Sequence, residues 1–141
     1  RTGRPLSVIM FDIDEFKKVN DHFGHLTGDA MLAAIGAQVQ LKLRTTDVKC
    51  RYGGDEFLVL LPDTSPSDAE LVAGALVEAV AAIRVAATGA MISPTVSVGV
   101  TTASFEETNP NAVVASADEA LYSAKRGGRN RYFISPLAPA V

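Results

Sequence analysis

A chain of 141 residues with 48% hydrophobic and 21% charged residues has the length and composition of one globular domain, and it is not composed like a disordered protein. The net charge of -3 and the sequence pI near 5.3 argue against a nucleic-acid-binding surface. No apolar run reaches the roughly 18 residues of a membrane span. The single cysteine, Cys50, excludes an internal disulfide. We therefore expect a soluble cytoplasmic domain without nucleic-acid or membrane contacts, with Cys50 in its core.

The first predicted element is a buried strand over residues 6–11, a nearly continuous apolar run that ends at Asp12. Asp14 follows on the same loop edge. Residues 15–23 carry apolar side chains at spacings of three and four, which predicts a short amphipathic helix ending at Gly24. Two acids are therefore expected between the first strand and the first helix.

A second helix follows, and Thr27 is its predicted N-cap. Asp29 falls in the expected first turn, where a carboxylate suits the positive end of the helix dipole. The predicted buried stripe of this helix consists of Leu32, Ile35, Val39 and Leu43.

A glycine pair followed at once by two acids stands at the centre of the chain. The segment reads, in order, Arg51, Tyr52, Gly53, Gly54, Asp55, Glu56 and Phe57, between strand-like runs at 48–51 and 57–61. The glycines predict a β-hairpin, since glycine reaches positive φ cheaply and lets a ligand approach the backbone closely. The adjacent carboxylates repel each other unless a cation or a buried proton relieves the repulsion. A solvated hairpin tip is the alternative interpretation of so short a motif.

The rest of the chain predicts two more helices and two more strands. Ser65 is the N-cap expected for the third helix, with Pro66 in its first turn and Val72, Leu76, Val80 and Ile83 buried. Residues 95–101 alternate as a strand, Asn109-Pro110 opens a fourth helix with Val113, Ala117, Leu121 and Ala124 inward, and Gly127-Gly128 stops it. A last strand is expected at 131–134, and residues 135–141, with two prolines, predict a flexible tail. The fold class is mixed α and β.

The acids at the first strand and at the hairpin suggest a metal site. Asp12 ends a strand and Asp55 lies in a turn that can fold beside it, so the two can hold a hard divalent cation, Mg2+ or Mn2+. Such an ion keeps sites for phosphate oxygens, which points to phosphoryl or nucleotidyl transfer. The chain has no Walker A motif. Lys125 and Arg129 are candidate phosphate ligands, or else a basic helix end favoured by the dipole.

Several separate blocks of the sequence match one known pattern in order and spacing. They are residues 11–17 (Phe-Asp-Ile-Asp-Glu-Phe-Lys), 20–21, 23–25, 28–29, 51–57, 97–100, 120–122 and 125–130. Together they resemble the GGDEF family of diguanylate cyclases over nearly the whole chain, and the chain is identified as a member of that family. The resemblance implies an α+β fold with a central, mostly antiparallel five-stranded sheet wrapped by helices, similar to the palm of polymerases and class III nucleotidyl cyclases.

The resemblance also implies an activity, the condensation of two GTP molecules into cyclic di-GMP with release of pyrophosphate in a bacterial cell. By position, the implied metal ligands are Asp12, the Ile13 carbonyl and Asp55, and Glu56 is similar to the acid that supports the metal or the attacking hydroxyl. The implied substrate-binding residues are Asn20 and Asp29 for guanine, Gly53 and Gly54 for close approach of the nucleotide, and Lys17, Lys125 and Arg129 for the phosphates. A non-catalytic receptor for cyclic di-GMP or GTP is the alternative function.

Arg44 and Asp47, separated by two residues and lying five residues before Gly53, resemble the family's inhibitory site for the product; the alternative is a local ion pair. His22 and His25 are spaced like metal ligands, but the family pattern assigns His25 no such role, so a structural role is expected.

Members of the family usually begin with a helix before the first strand, and here only residues 1–5 precede that strand. This suggests a piece cut from a longer signalling protein. The resemblance further implies that catalysis needs two facing domains, with an upstream sensory or dimerisation region.

Overall fold

The computed structural model describes residues 4–104 and 109–135. Its strands are β1 (Pro5–Ile13), β2 (Val48–Arg51), β3 (Glu56–Pro62), β4 (Val85–Ala87), β5 (Ala90–Ile92), β6 (Val96–Ser104) and β7 (Arg131–Ile134). Its helices are α1 (Phe16–Phe23), α2 (His25–Lys42), α3 (Pro66–Ala81) and α4 (Pro110–Arg126). Within those residues no helix is long and apolar enough to cross a membrane.

Five strands form the main sheet in the order β2-β3-β1-β6-β7. The first three pairings are antiparallel and β6 pairs with β7 in parallel, which confirms the expected mostly antiparallel five-stranded sheet. In this register Asp12 lies opposite Glu56 on one neighbour and opposite Ser97 on the other. A second, two-stranded sheet of β4 and β5, joined through Gly89 at φ 76°, was not predicted because its strands have only three residues each.

β1 is the central strand and is buried from Ser7 onward, because it has a strand on each edge and helices over each face. Alternate side chains point to opposite faces of a strand. Accordingly, Ile9 and Phe11 belong to the core cluster that includes α2 and α3, whereas Val8 and Met10 pack with residues of α4. Gly99 on β6 lets α4 approach, since a Cβ there would lie 2.2 Å from the Ala117 carbonyl oxygen.

The predicted N-caps are confirmed for α3 and α4 and wrong for α2. The Ser65 hydroxyl accepts a hydrogen bond from the Asp68 amide at 3.2 Å, and the Asn109 side chain caps α4 in the same way. The Thr27 N-cap is wrong, because α2 begins at His25 with Gly24 as its N-cap. Gly24 adopts φ 92° and by itself joins α1 to α2, so Asp29 lies in the second turn of the helix.

Three other predictions need correction or lie beyond the description. Cys50 is exposed, because all four residues of the edge strand β2 are exposed. The buried residues of α2 are Gly28, Met31, Ile35 and Val39, while Leu32 and Leu43 only pack partly buried against the core. The predicted tail lies outside the described residues apart from Ser135, whose amide donates to the Val100 carbonyl at 2.8 Å.

Candidate functional site

Two acids and a lysine from distant parts of the chain meet at the carboxyl end of β1. Asp12 is only 6% exposed, and its Oδ2 accepts a hydrogen bond from the Lys125 ammonium on the last turn of α4. The Asp55 carboxylate lies close enough to Asp12 to perturb its ionisation. The structure therefore brings together the two expected metal-ligand carboxylates, and it also adds Lys125 to them.

The second oxygen of Asp12 is left without a partner. Its Oδ1 is buried and accepts no hydrogen bond within the described residues. Burial raises the pKa of Asp12 from its ordinary 3.8 to about 6; Lys125 lowers it and Asp55 raises it. A buried carboxylate oxygen without a donor, facing a second carboxylate, is a setting that a bound cation would stabilise.

The described side chains supply only part of a cation's coordination shell. No group of three His, Cys, Asp or Glu side chains is placed to hold a metal in the ranges 4–104 and 109–135. A hard cation at this position would thus have two carboxylates and draw its other ligands from backbone carbonyls, water or a phosphate, as Mg2+ commonly does. The residues present fit such an ion.

The glycine-containing turn joins β2 to β3 beside this pair. The amides of Tyr52 and Gly53 donate to the Glu56 carbonyl at 2.8 and 3.2 Å, and the Ile13 amide donates to the Asp55 carbonyl at 3.3 Å. The expected positive φ is wrong, since neither glycine of the pair lies in that region. A Cβ at Gly54 would meet nothing within 4 Å. The turn therefore leaves open space at its tip.

Arg51 braces this turn from the end of β2. Its guanidinium donates to the Gly54 carbonyl, at 3.1 Å from Nε, and lies 5.9 Å from the centre of the Phe57 ring. Phe57 in turn stacks on Phe11 of β1, with ring centres 5.0 Å apart. The backbone that presents Asp55 is thus tied to the core through Arg51.

The candidate phosphate ligands differ in their surroundings. Lys125 is held on Asp12, whereas Lys17 is exposed and forms an ion pair with Asp21 at 2.9 Å. Arg129 is exposed, adopts φ 64°, and its side chain makes no hydrogen bond or ion pair with the described residues. It lines a surface cavity of about 450 Å³ between α1, the residues before β6 and the loop after α4.

The candidate guanine-binding residues meet where α1 crosses α2. A Cβ built on Gly28 would lie 1.8 Å from Oδ1 of Asn20, so the Asn20 side chain occupies the space that the glycine leaves. Asp29 follows Gly28 directly and is exposed, and its side chain makes no hydrogen bond with the residues the structure describes. The structure thus places an amide and a free carboxylate beside the same glycine.

His22 and His25 lie on either side of the joint between α1 and α2, and both are exposed. The His22 ring packs edge-on against Phe23, with ring centres 4.5 Å apart. No third ligand of the usual types accompanies them among the described residues.

Arg44 and Asp47 form the turn between α2 and β2. The Asp47 side chain, 2% exposed, accepts from the Arg44 amide and from its guanidinium, both at 2.8 Å. Arg44 also donates to the Pro62 carbonyl and to the Thr64 hydroxyl. The predicted product-site residues are therefore bound to each other, and Arg44 holds the end of β3 as well.

Sequence reasoning gave no role to Asp14, which lies two residues after Asp12. Its carboxylate accepts hydrogen bonds from the Ser97 hydroxyl at 2.6 Å and the Thr95 hydroxyl at 2.7 Å, and from the Asn130 amide at 2.9 Å. The pairing of β6 with β1 on one side and with β7 on the other brings these donors to Asp14. The available signal was the spacing of two between the acids, which puts both on one face of an extended strand.

Comparison with known proteins identifies the family of this chain. The sequence profile of the family described as diguanylate cyclase, GGDEF domain, matches residues 1–131. The response regulator PleD of Caulobacter vibrioides is 41% identical over 130 residues, which are 91% of this chain and 29% of PleD. Diguanylate cyclase DgcP of Pseudomonas aeruginosa is 43% identical over 131 residues, which are 93% of this chain and 19% of DgcP.

A solved structure of a diguanylate cyclase has the same fold as this chain. The diguanylate cyclase SiaD, in complex with its activator SiaC from Pseudomonas aeruginosa, matches with a TM-score of 0.87 and 39% identity, covering 94% of this chain and 50% of SiaD. The chain spans less than a third of the curated relatives PleD and DgcP. A profile match over nearly all of its residues shows that the chain belongs to the GGDEF domain family of diguanylate cyclases.

Proposed function

We propose that this domain is a diguanylate cyclase that condenses two GTP molecules into cyclic di-GMP and releases two pyrophosphates. In each half-reaction the 3'-hydroxyl of one GTP attacks the α-phosphorus of the other, and the bond from that phosphorus to pyrophosphate breaks. The observation that carries the proposal is the buried Asp12 carboxylate, with one unpartnered oxygen, facing Asp55 at the glycine-containing turn.

The metal ligands we propose are Asp12, the Ile13 carbonyl and Asp55, holding Mg2+ or Mn2+. When bound, such an ion would neutralise phosphate charge and favour formation of an attacking alkoxide. Glu56 lies opposite Asp12 in the strand register. We assign Glu56 to support of the metal or of the attacking hydroxyl.

The phosphates are assigned to Lys125, Arg129 and Lys17. Lys125 already lies on the Asp12 carboxylate, so one phosphate chain can reach both the lysine and the metal ligands. The Arg129 guanidinium has no partner within residues 4–104 and 109–135 and lies at the edge of the 450 Å³ cavity. A guanidinium can bind phosphate oxygens through two parallel hydrogen bonds.

Guanine recognition is assigned to Asn20 and Asp29. A carboxylate can accept the N1 and N2 hydrogens of guanine together, and adenine has no such pair of donors. A site built to pair with those donors rejects the base that lacks them, because its own polar groups would stay unpaired. Close approach of the nucleotide to the turn is assigned to Gly53 and Gly54, where a Cβ on Gly54 would meet only open space.

Each domain would hold one GTP, so product formation requires two copies of the domain face to face. The chain spans only 29% of PleD and 19% of DgcP, which supports an upstream sensory or dimerisation region in the complete protein.

We further propose product feedback at Arg44 and Asp47. Because these two side chains bind each other here, product binding would require the exposed Arg44 guanidinium to turn outward.

The test is incubation with GTP and MgCl2 followed by nucleotide chromatography, over a series of protein concentrations and with the domain fused to a parallel dimeric coiled coil. We expect cyclic di-GMP and pyrophosphate, with a rate per domain that rises with concentration and is highest in the fusion. Binding of GTP or cyclic di-GMP without product, even in the fusion, would identify a receptor and refute the cyclase.

A further inference from the structure

The Asp14 carboxylate accepts hydrogen bonds from three donors in two separate segments of the chain. Ser97 on β6, Thr95 just before β6, and the backbone amide of Asn130 after α4 all donate to it, at 2.6 to 2.9 Å. The Asp14 amide itself donates to the Thr95 carbonyl at 2.9 Å. Both carboxylate oxygens are used, so Asp14 has the surroundings of a fixed acceptor.

The loop after α4 needs such an acceptor. Gly128, Arg129 and Asn130 follow one another at φ 124°, 64° and 49°. Residues other than glycine adopt this left-handed region at a cost, and they stay there only when their surroundings hold them. The Gly128 and Arg129 amides donate to the Lys125 and Ala124 carbonyls of α4, and Arg131 begins β7 beside β6. The bond from the Asn130 amide to Asp14 ties the loop to the end of β1 as well.

Asp14 also lies between the proposed metal ligand Asp12 and the proposed phosphate ligand Arg129. It follows Asp12 by two residues on the strand side, and it precedes Glu15, at φ 55°, where the chain turns into α1. Asp14 and Arg129 line the same cavity. Asp14 therefore links the loop that carries Arg129 to the strand that carries Asp12.

We propose that Asp14 is a positioning residue for the phosphate-binding side of the site: by accepting the Asn130 amide it fixes where the Arg129 guanidinium meets the phosphates of GTP. This role rests on the proposed function. Asp14 itself needs no contact with substrate or metal.

Two substitutions of Asp14 distinguish a role as hydrogen-bond acceptor from a role that depends on its negative charge. In Asp14→Asn the amide oxygen can accept the Asn130 amide and the Thr95 hydroxyl, while the new NH2 group donates to the Ser97 hydroxyl, which can rotate to accept it. Asp14→Ala removes every acceptor. Positioning by hydrogen bonds therefore predicts rescue by asparagine, whereas a metal ligand or an electrostatic role predicts equal loss in both variants.

The experiment measures GTP affinity by calorimetry with Mg2+ and hydrogen exchange of the Asn130 amide by NMR, in wild type, Asp14→Ala, Asp14→Asn and the surface control Glu78→Ala. We expect Asp14→Ala to weaken GTP binding about tenfold or more and to speed exchange by a similar factor. Asp14→Asn should stay within about threefold of wild type in both, and Glu78→Ala should match wild type.

Unchanged exchange or unchanged affinity in Asp14→Ala would overturn the proposal, as would an Asp14→Asn variant that is folded but as impaired as alanine. If Asp14→Ala does not fold, Asp14→Asn still decides, because retained affinity supports positioning and lost affinity contradicts it. Failure of the wild-type domain to bind GTP would instead refute the proposed function, and with it any role of Asp14 toward substrate.

Discussion

Lys125 and Asp12 form an ion pair across 113 positions of the chain, at the carboxyl end of the central strand. The lysine neutralises one oxygen of a buried carboxylate, and the other oxygen has no donor among the described residues. Leaving a carboxylate in such surroundings costs free energy unless its charge is matched. The charge of Asp12 is therefore only partly compensated by side chains at the place where the proposed cation would bind.

The burial of Asp12 raises its pKa and so predicts a pH dependence of stability without metal. The pKa of Asp12 is raised from 3.8 to about 6, so its protonated form stabilises the fold below pH 4 and this contribution is lost as pH rises through 6. A shift of this size corresponds to about 3 kcal/mol. With chelator present, Asp12→Asn should gain up to about this free energy of unfolding relative to wild type between about pH 4 and pH 7. A difference between the two proteins that stays constant with pH, measured by urea unfolding, would contradict the account.

The order of strands and helices was predictable because capping residues and apolar runs, which are local features of the sequence, mark where each element begins and ends. Ser65 with Pro66 and Asn109 with Pro110 mark helix starts, and the apolar run before Asp12 marks the central strand. Strand pairing is not local. The contacts of Asp14 with Ser97 and Asn130, at sequence separations of 83 and 116, exist only once β1 lies beside β6 and β7 lies beside β6.

The sequence also failed to predict the exposure of Cys50 and the start of α2. Cys50 lies in a strand, as predicted, but that strand is at the edge of the sheet and all four of its residues are exposed. Gly24 alone connects α1 to α2, because glycine can adopt φ 92° there. Helix α2 therefore begins at His25, two residues before Thr27. The family pattern identified the candidate site residues without these details, and their roles stay predictions.

Gly28 and Gly36 on α2 offer a matched pair of alanine substitutions. A Cβ at Gly28 would lie 1.8 Å from Oδ1 of Asn20, whereas one at Gly36 would meet nothing within 4 Å. Gly28→Ala should displace Asn20, weaken GTP binding and lower stability by about 1–3 kcal/mol. Gly36→Ala should keep GTP affinity and raise stability by up to about 1 kcal/mol. Calorimetry and thermal unfolding decide this, and normal GTP affinity in Gly28→Ala would remove Asn20 from the base site.

Base choice is expected to depend on Asp29. We expect the domain to use GTP and not ATP, and Asp29→Ser to lose about 1.5–3 kcal/mol of the preference for guanine, the range for a charged hydrogen-bond partner. The affinities for GTP and ATP are compared in wild type, Asp29→Ser and Glu78→Ser, a loss of the same charge on α3. Undiminished preference for GTP in Asp29→Ser would show that another group reads the base.

Product feedback predicts that Arg44→Ala loses binding of cyclic di-GMP and keeps binding of GTP. Arg84→Ala is the control, because that arginine is also exposed and donates to backbone carbonyls at a helix end. Unfolding of both variants is followed, since Arg44 also holds Pro62 and Thr64. Equal affinity for cyclic di-GMP in wild type and Arg44→Ala would leave Arg44 and Asp47 as a structural ion pair.

The most direct test of the central claim compares cyclic di-GMP synthesis from GTP and Mg2+ by wild type, Asp55→Asn and Asp63→Asn, each in the dimeric fusion. Asp63 is exposed and pairs with Arg4 on the surface, so its substitution removes the same charge away from Asp12. The account predicts that Asp55→Asn keeps the fold and loses activity by more than about a hundredfold, while Asp63→Asn keeps both. Undiminished synthesis by Asp55→Asn would contradict it.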